Sequence, residues 1–81
     1  MMYFVYILFS EKYPQKYYIG MTINLEERIN KHNTRQSYYS KRYAPWRLET
    51  YIAFRSEHLA KSFERYLKHG SGLAFLKKHF I

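Results

Sequence analysis

The stretch Lys16-Tyr17-Tyr18-Ile19-Gly20-Met21-Thr22-Ile23-Asn24-Leu25-Glu26-Glu27-Arg28-Ile29-Asn30-Lys31-His32-Asn33 changes its period part-way along. Up to Met21 it is rich in aromatic and β-branched side chains, as a strand is. Beyond Asn24, Leu25, Ile29 and His32 fall at i, i+4 and i+7, on one face of a helix. Asn24 is a good N-cap, and Glu27, three residues on, completes a capping box. Glu26 and Glu27 also suit the positive end of the helix dipole. The spacing predicts a strand over Lys16–Met21, a break at Thr22-Ile23-Asn24, and a helix over Leu25–Asn33.

On the N-terminal side, Met2-Tyr3-Phe4-Val5-Tyr6-Ile7-Leu8-Phe9 is apolar on both faces, as the middle strand of a covered sheet is. Ser10 to Gln15 is polar, contains Pro14 and reads as a turn, which makes the two strands a hairpin. On the C-terminal side, Thr34 to Pro45 reads as a polar, basic, tyrosine-containing loop. Trp46 to Phe54 alternates, and simple period-two counting puts Trp46, Leu48, Ile52 and Phe54 on one face. Ser56 caps a second helix whose expected core face is Leu59, Ala60, Phe63, Tyr66 and Leu67. Gly70 ends that helix at C′. Ser71 starts a short third helix with Leu73, Leu76 and Phe80 on one stripe. The order β-β-α-β-α-α gives an α+β domain: a small three-stranded antiparallel sheet flanked by helices.

The 81 residues hold one domain, 1–81, without repeat or linker. The chain is 47% hydrophobic and 21% aromatic, too apolar for disorder. So small a core leans on large side chains. Fourteen Lys+Arg stand against six acids, all Glu, for a net charge of +8. That charge points to a polyanion, most simply nucleic acid, although basic surfaces also serve solubility alone. The absence of Cys excludes a disulfide scaffold, zinc–thiolate sites and thiol nucleophiles. The absence of Asp excludes mechanisms needing several Asp ligands. The run Met1 to Phe9 is too short to span a bilayer and does not read as a signal peptide, so a cytoplasmic protein without a membrane partner is expected.

There is no phosphate-binding glycine loop, no nucleophile elbow and no HExxH pair. His32, His58, His69 and His79 are expected at the surface or at helix caps. What remains is an ordered polar set. Arg28 and His32 lie one helical turn apart. Glu64 sits at the rim of the second helix's apolar face, where it can reach the edge of a cleft.

This set resembles the GIY-YIG nuclease domain family, and more narrowly its stand-alone single-domain bacterial branch. Phe4-Val5-Tyr6 corresponds to the first family motif and Tyr18-Ile19-Gly20 to the second. Residues 17–33 read like the family's strand, turn and arginine helix, and Ala60-Lys61-Ser62-Phe63-Glu64-Arg65-Tyr66-Leu67-Lys68 like its A-x-x-x-E-x-x-L-K helix. Two positions depart. Phe4 replaces the first Gly, and Met21 stands where some members carry a Lys near the scissile phosphate.

The resemblance implies a DNA endonuclease acting in repair or recombination, with one Mg²⁺ or Mn²⁺ per site held by Glu64. A cation that keeps its waters needs only one or two carboxylates when phosphate supplies the rest. Arg28 would hold nonbridging phosphate oxygens. Tyr6 would be the base or would orient the attacking water, with a phenol pKa lowered by metal and Arg28. Tyr18 would share that role or bond phosphate, and His32 would donate to phosphate or position Tyr18. Each also has a plainer reading: Tyr6 and Tyr18 as sheet residues, Arg28 as a solvated charge, His32 as a helix-end residue. Glu57 competes with Glu64 but is better explained by the dipole at its helix start.

Between Glu27 and Glu49 there is no acid. Arg28, Lys31, Arg35, Lys41, Arg42 and Arg47 there interleave with Tyr38, Tyr39 and Tyr43. Cations contact phosphates and tyrosines stack on bases. The expected DNA-binding set is Gly20, Lys31, Arg35, Tyr39, Lys41, Arg42 and Arg47, although the tyrosines could instead pack on the sheet. A partner protein or a homodimer would supply specificity to so small a nuclease, and the chain is expected as a monomer or homodimer. The alternative is a non-catalytic nucleic-acid-binding module or scaffold of the same fold.

Overall fold

The computed structural model describes residues 1–34 and 38–81, of which 38–40 by backbone alone. Three strands, β1 (Tyr3–Ser10), β2 (Tyr17–Thr22) and β3 (Trp46–Phe54), form one antiparallel sheet in the order β2-β1-β3. The most apolar strand therefore lies in the middle. Helix α1 (Leu25–Asn33) follows β2, and α3 (Glu57–Lys68) and α4 (Gly70–His79) follow β3. The fold is α+β with the expected order β-β-α-β-α-α. One short element is added, helix α2 (Tyr38–Tyr43), inside the segment read as a loop. Its six residues carry no apolar stripe of helical period, so periodicity gives no sign of it.

Alternation along β1 splits the core in two. Val5 and Ile7 face one way and pack with Ile19, Ala60, Leu67 and Leu76, under α3 and α4. Tyr6 and Leu8 face the other way and pack with Trp46, Tyr18, Leu25, Ile29, Tyr43 and Leu48, under α1 and α2. Both faces of β1 are covered, which accounts for its unbroken apolar run.

The β3 face differs from simple counting. Leu8 pairs with Leu48 and Ser10 with Trp46, whereas Val5 pairs with Ile52 and Tyr3 with Phe54, with a register shift between Ile7 and Leu8. Directly opposed residues share a face. Trp46 and Leu48 therefore belong to the Tyr6 face, and Ile52 and Phe54 to the Val5 face. A β-bulge at Glu49 inserts the extra residue that switches them.

Helix α3 also buries a narrower stripe than expected. Ala60 and Leu67 are fully buried, but Leu59 is 56% and Tyr66 43% exposed. One residue off the stripe is about 100° around the helix, and a three-stranded sheet is too narrow to cover that arc. Tyr66 stacks on Phe63 and lies tilted against Phe75 instead. The turn into α4 is sharp: Gly70 has φ +53°, and a side chain at buried Gly72 would overlap the Tyr66 carbonyl.

Candidate active site

The β1–β2 register sets Tyr6 opposite Gly20 and Leu8 opposite Tyr18. The two tyrosines are thus an even step apart and share a face. Their rings stack at 6.3 Å between centroids. A Cβ on Gly20 would come within 2.6 Å of Tyr6 Cζ and 3.0 Å of Tyr18 Cε1. Gly20 is buried, so it makes room beneath the tyrosine pair and presents no surface.

Helix α1 enters through its cap, where the Asn24 side chain accepts a bond from the Glu27 N–H. Its other end is clamped to β3. Asn33 Nδ2 donates to the Trp46 carbonyl at 3.2 Å and Trp46 N donates to Asn33 Oδ1 at 2.6 Å. Neither bond has a periodic signature in the sequence, and both were missed by reading it. Between these anchors the helix turns Arg28 and His32 to the tyrosines. Arg28 Nη1 donates to the Met21 carbonyl at 3.2 Å, across the strand–helix joint.

His32 is buried, not at the surface or a cap. Its Nε2 lies 3.0 Å from the Tyr6 hydroxyl, and its ring stands 4.5 Å from that of Tyr18. Burial, then the Arg28 charge, holds its pKa below the usual imidazole value, so it is neutral at pH 7. In the tautomer that carries its proton on Nδ1, Nε2 accepts from the Tyr6 hydroxyl. The Arg28 side chain is near enough to the Tyr6 oxygen to favour the phenolate.

Arg28 lowers the Tyr6 pKa, as expected, but without a metal beside it the cation does not prevail. Burial raises the Tyr6 pKa above the usual phenol value. Hydrogen bonding and charge from Arg28 pull the other way, and Tyr18 and Glu64 raise it further. Tyr6 has almost no contact with water, so loss of hydration outweighs one adjacent cation.

Glu64 comes from α3, on the other side of the sheet, yet is near enough for its charge to bear on Tyr6. Its carboxylate, 21% exposed, pairs with Lys68 one turn on. Lys68 and Tyr18 line a groove of ≈ 270 Å³ with Tyr17, Ile19 and Leu73, along the β2 edge of the sheet. Glu57 is exposed and pairs with Lys61.

No group of three His, Cys, Asp or Glu side chains gathers among the described residues. An ion that prefers a full cage of protein carboxylates does not suit this site. A hard cation that keeps its waters and takes one carboxylate fits the donor set around Glu64.

Of the expected DNA-binding residues, Lys31 pairs with Glu27 and Arg47 with Glu49, and Lys41 and Arg42 are exposed on α2. Arg35 and the Tyr39 side chain lie outside the described residues.

The sequence profile of the GIY-YIG catalytic domain matches residues 2–74. The chain belongs to the GIY-YIG nuclease family. Among solved structures, this GIY-YIG domain is similar to a UPF0213 protein from Bacillus halodurans, determined by solution NMR. The two are 27% identical over 99% of this chain and 87% of that one, with a TM-score of 0.57. No curated protein matches the chain. GIY-YIG nucleases generally use a divalent metal. Among the described residues no helix is long and apolar enough to cross a membrane.

Proposed function

We propose that this domain is an endonuclease that hydrolyses phosphodiester bonds in DNA, in repair or recombination. The observation that carries the reading is the Tyr6 hydroxyl, 3.0 Å from His32 Nε2 and under the influence of the Arg28 guanidinium. A buried phenol is a poor base alone. With a neutral imidazole at 3.0 Å, Tyr6 can pass its own proton to His32 as it takes one from water. Arg28 stabilises the phenolate while that happens. It pairs with no carboxylate among the described residues, so its charge is also available to the nonbridging oxygens of a bound phosphate. Tyr18, stacked on Tyr6, keeps the ring in place and offers a second hydroxyl.

Glu64 is the residue to hold a divalent cation, Mg²⁺ or Mn²⁺, one per site. Such an ion offsets charge on the leaving oxygen. Lys68 must then release the carboxylate it pairs with. That pair also favours the second reading, a nucleic-acid-binding module in which Glu64 serves only as Lys68's partner. Specificity would come from a partner protein or from a second copy of the chain, because a single small domain offers little surface for reading bases.

Incubation of the protein with Mg²⁺ and end-labelled duplex, branched and single-stranded DNA tests the proposal. Metal-dependent products that disappear in Arg28→Ala support it. Tight binding with no cleavage of any substrate, in Mg²⁺ or Mn²⁺, would leave the second reading.

A further inference from the structure

Four ion pairs occupy Lys31, Arg47, Lys61 and Lys68 among the described residues. Lys12, Lys16 and Arg42 instead meet aromatic rings. Lys16 Nζ and the Arg42 guanidinium lie 5.3 and 5.4 Å from the Tyr43 ring centre, and Lys12 Nζ lies 6.0 Å from that of Tyr13. The two rings stand edge to face at 5.3 Å. The cluster therefore joins the β1–β2 turn to the end of α2, far apart in sequence. Glu11 is the nearest acid along the chain, and it enters none of the four pairs.

The arrangement is held from beneath. Ser10 Oγ, 2% exposed, donates to the Tyr43 carbonyl and accepts from the backbone N–H groups of Lys12 and Tyr13. Lys16 N also donates to the Tyr13 carbonyl. One buried hydroxyl thus fixes the turn against α2. The three cations are exposed, and Tyr13 is 42% exposed. A ring face attracts a cation without using up its directed donors, so each ammonium keeps N–H groups for an anion. Tyr43 packs on the same cluster as Tyr6 and Tyr18, which makes the patch continuous with the tyrosine face.

We infer that Lys12, Lys16 and Arg42, with Tyr13, form a binding track for the sugar-phosphate backbone of a nucleic-acid strand leading away from Tyr6. Lys12, Lys16 and Tyr13 carry this role beyond the acid-free segment. The inference rests on the nucleic-acid reading above but not on cleavage. Cations on a fixed aromatic base can contact phosphates of one strand, and a half-exposed tyrosine beside them offers a face to a base.

The test is anisotropy of a fluorescent duplex without divalent metal, over a range of salt, with the full chain and its variants. Lys12→Gln/Lys16→Gln should lower the slope of log affinity against log salt by about 1.8, two phosphate contacts at about 0.9 each. Lys77→Gln/Lys78→Gln removes equal charge from the far end of α4 and should leave the slope unchanged. Equal slopes in both double variants, or no change in the first, overturns the track. So does retained DNA binding by Lys12→Gln/Lys16→Gln with loss of binding to phosphatidylserine vesicles. Unaltered far-UV spectra exclude misfolding, since both pairs are exposed. A failed cleavage assay with an intact slope effect would refute the nuclease reading and spare this one.

Discussion

Tyr6 and His32 carry opposite titration signatures, and both bear on stability. The folded pKa of His32 is depressed, so the folded state binds fewer protons than the unfolded state just below the free imidazole value of about 6.5. The stability it contributes is present above about pH 6.5 and is lost as pH falls through the folded value. The folded pKa of Tyr6 is raised, so its contribution is full below about pH 10 and is lost at higher pH. Urea midpoints should therefore fall on both sides of a plateau, and His32→Gln should flatten the acid side. Cleavage should fade on the acid side as well, because protonated His32 cannot accept from Tyr6. Glu64→Gln should keep fold and DNA affinity while metal-dependent cleavage drops about 10²–10³-fold or more, the range for removing one group that stabilises transition-state charge. Glu57→Gln should cleave normally. Loss of cleavage in Glu57→Gln alone would assign the metal to the wrong turn of α3. These polar positions stood out in the sequence through its resemblance to the family motifs. The sign of the Tyr6 shift did not, because it depends on how deeply β1 is covered.

Helix α1 brings Arg28 and His32 to the tyrosines only if both ends are fixed. The Asn24 cap was readable as a local pattern, whereas the Asn33 clamp joins residues brought together only by the fold. Asn33→Ala removes the two hydrogen bonds to the Trp46 backbone. It should cost about 1–3 kcal/mol in urea unfolding, with a larger fall in cleavage than in DNA affinity. Equal falls in both would mean that the clamp does not orient the helix. Helix α2 presents Lys41 and Arg42 without carboxylate partners among the described residues. Lys41→Glu/Arg42→Glu should weaken DNA binding and flatten its salt dependence. An unchanged slope would move the binding surface off α2. Elements with a period were plain in the sequence, and α2, which has none, read as a loop.

Across the whole molecule, α1 and α2 cover one face of the sheet and α3 and α4 the other, with β1 as the shared wall. The order of elements followed from hydrophobic period and turn residues. The assignment of β3 residues to faces did not, because Trp46 and Phe54 are an even number of residues apart and yet lie on opposite sides. Deleting Glu49 should force one half of β3 to turn over. Loss of Trp46 burial alone would cost about 3–5 kcal/mol, enough to unfold a domain this small at room temperature, which near-UV circular dichroism would detect. Glu49 is thus a half-period phase slip written into one strand. It gives the family a test that needs no similarity score. In a relative built without the slip, the residues that play the parts of Trp46 and Phe54 must be separated by an odd count. Parity alone would then tell which chains share this wiring, and closing a one-residue gap at this point in an alignment would silently pair the wrong faces.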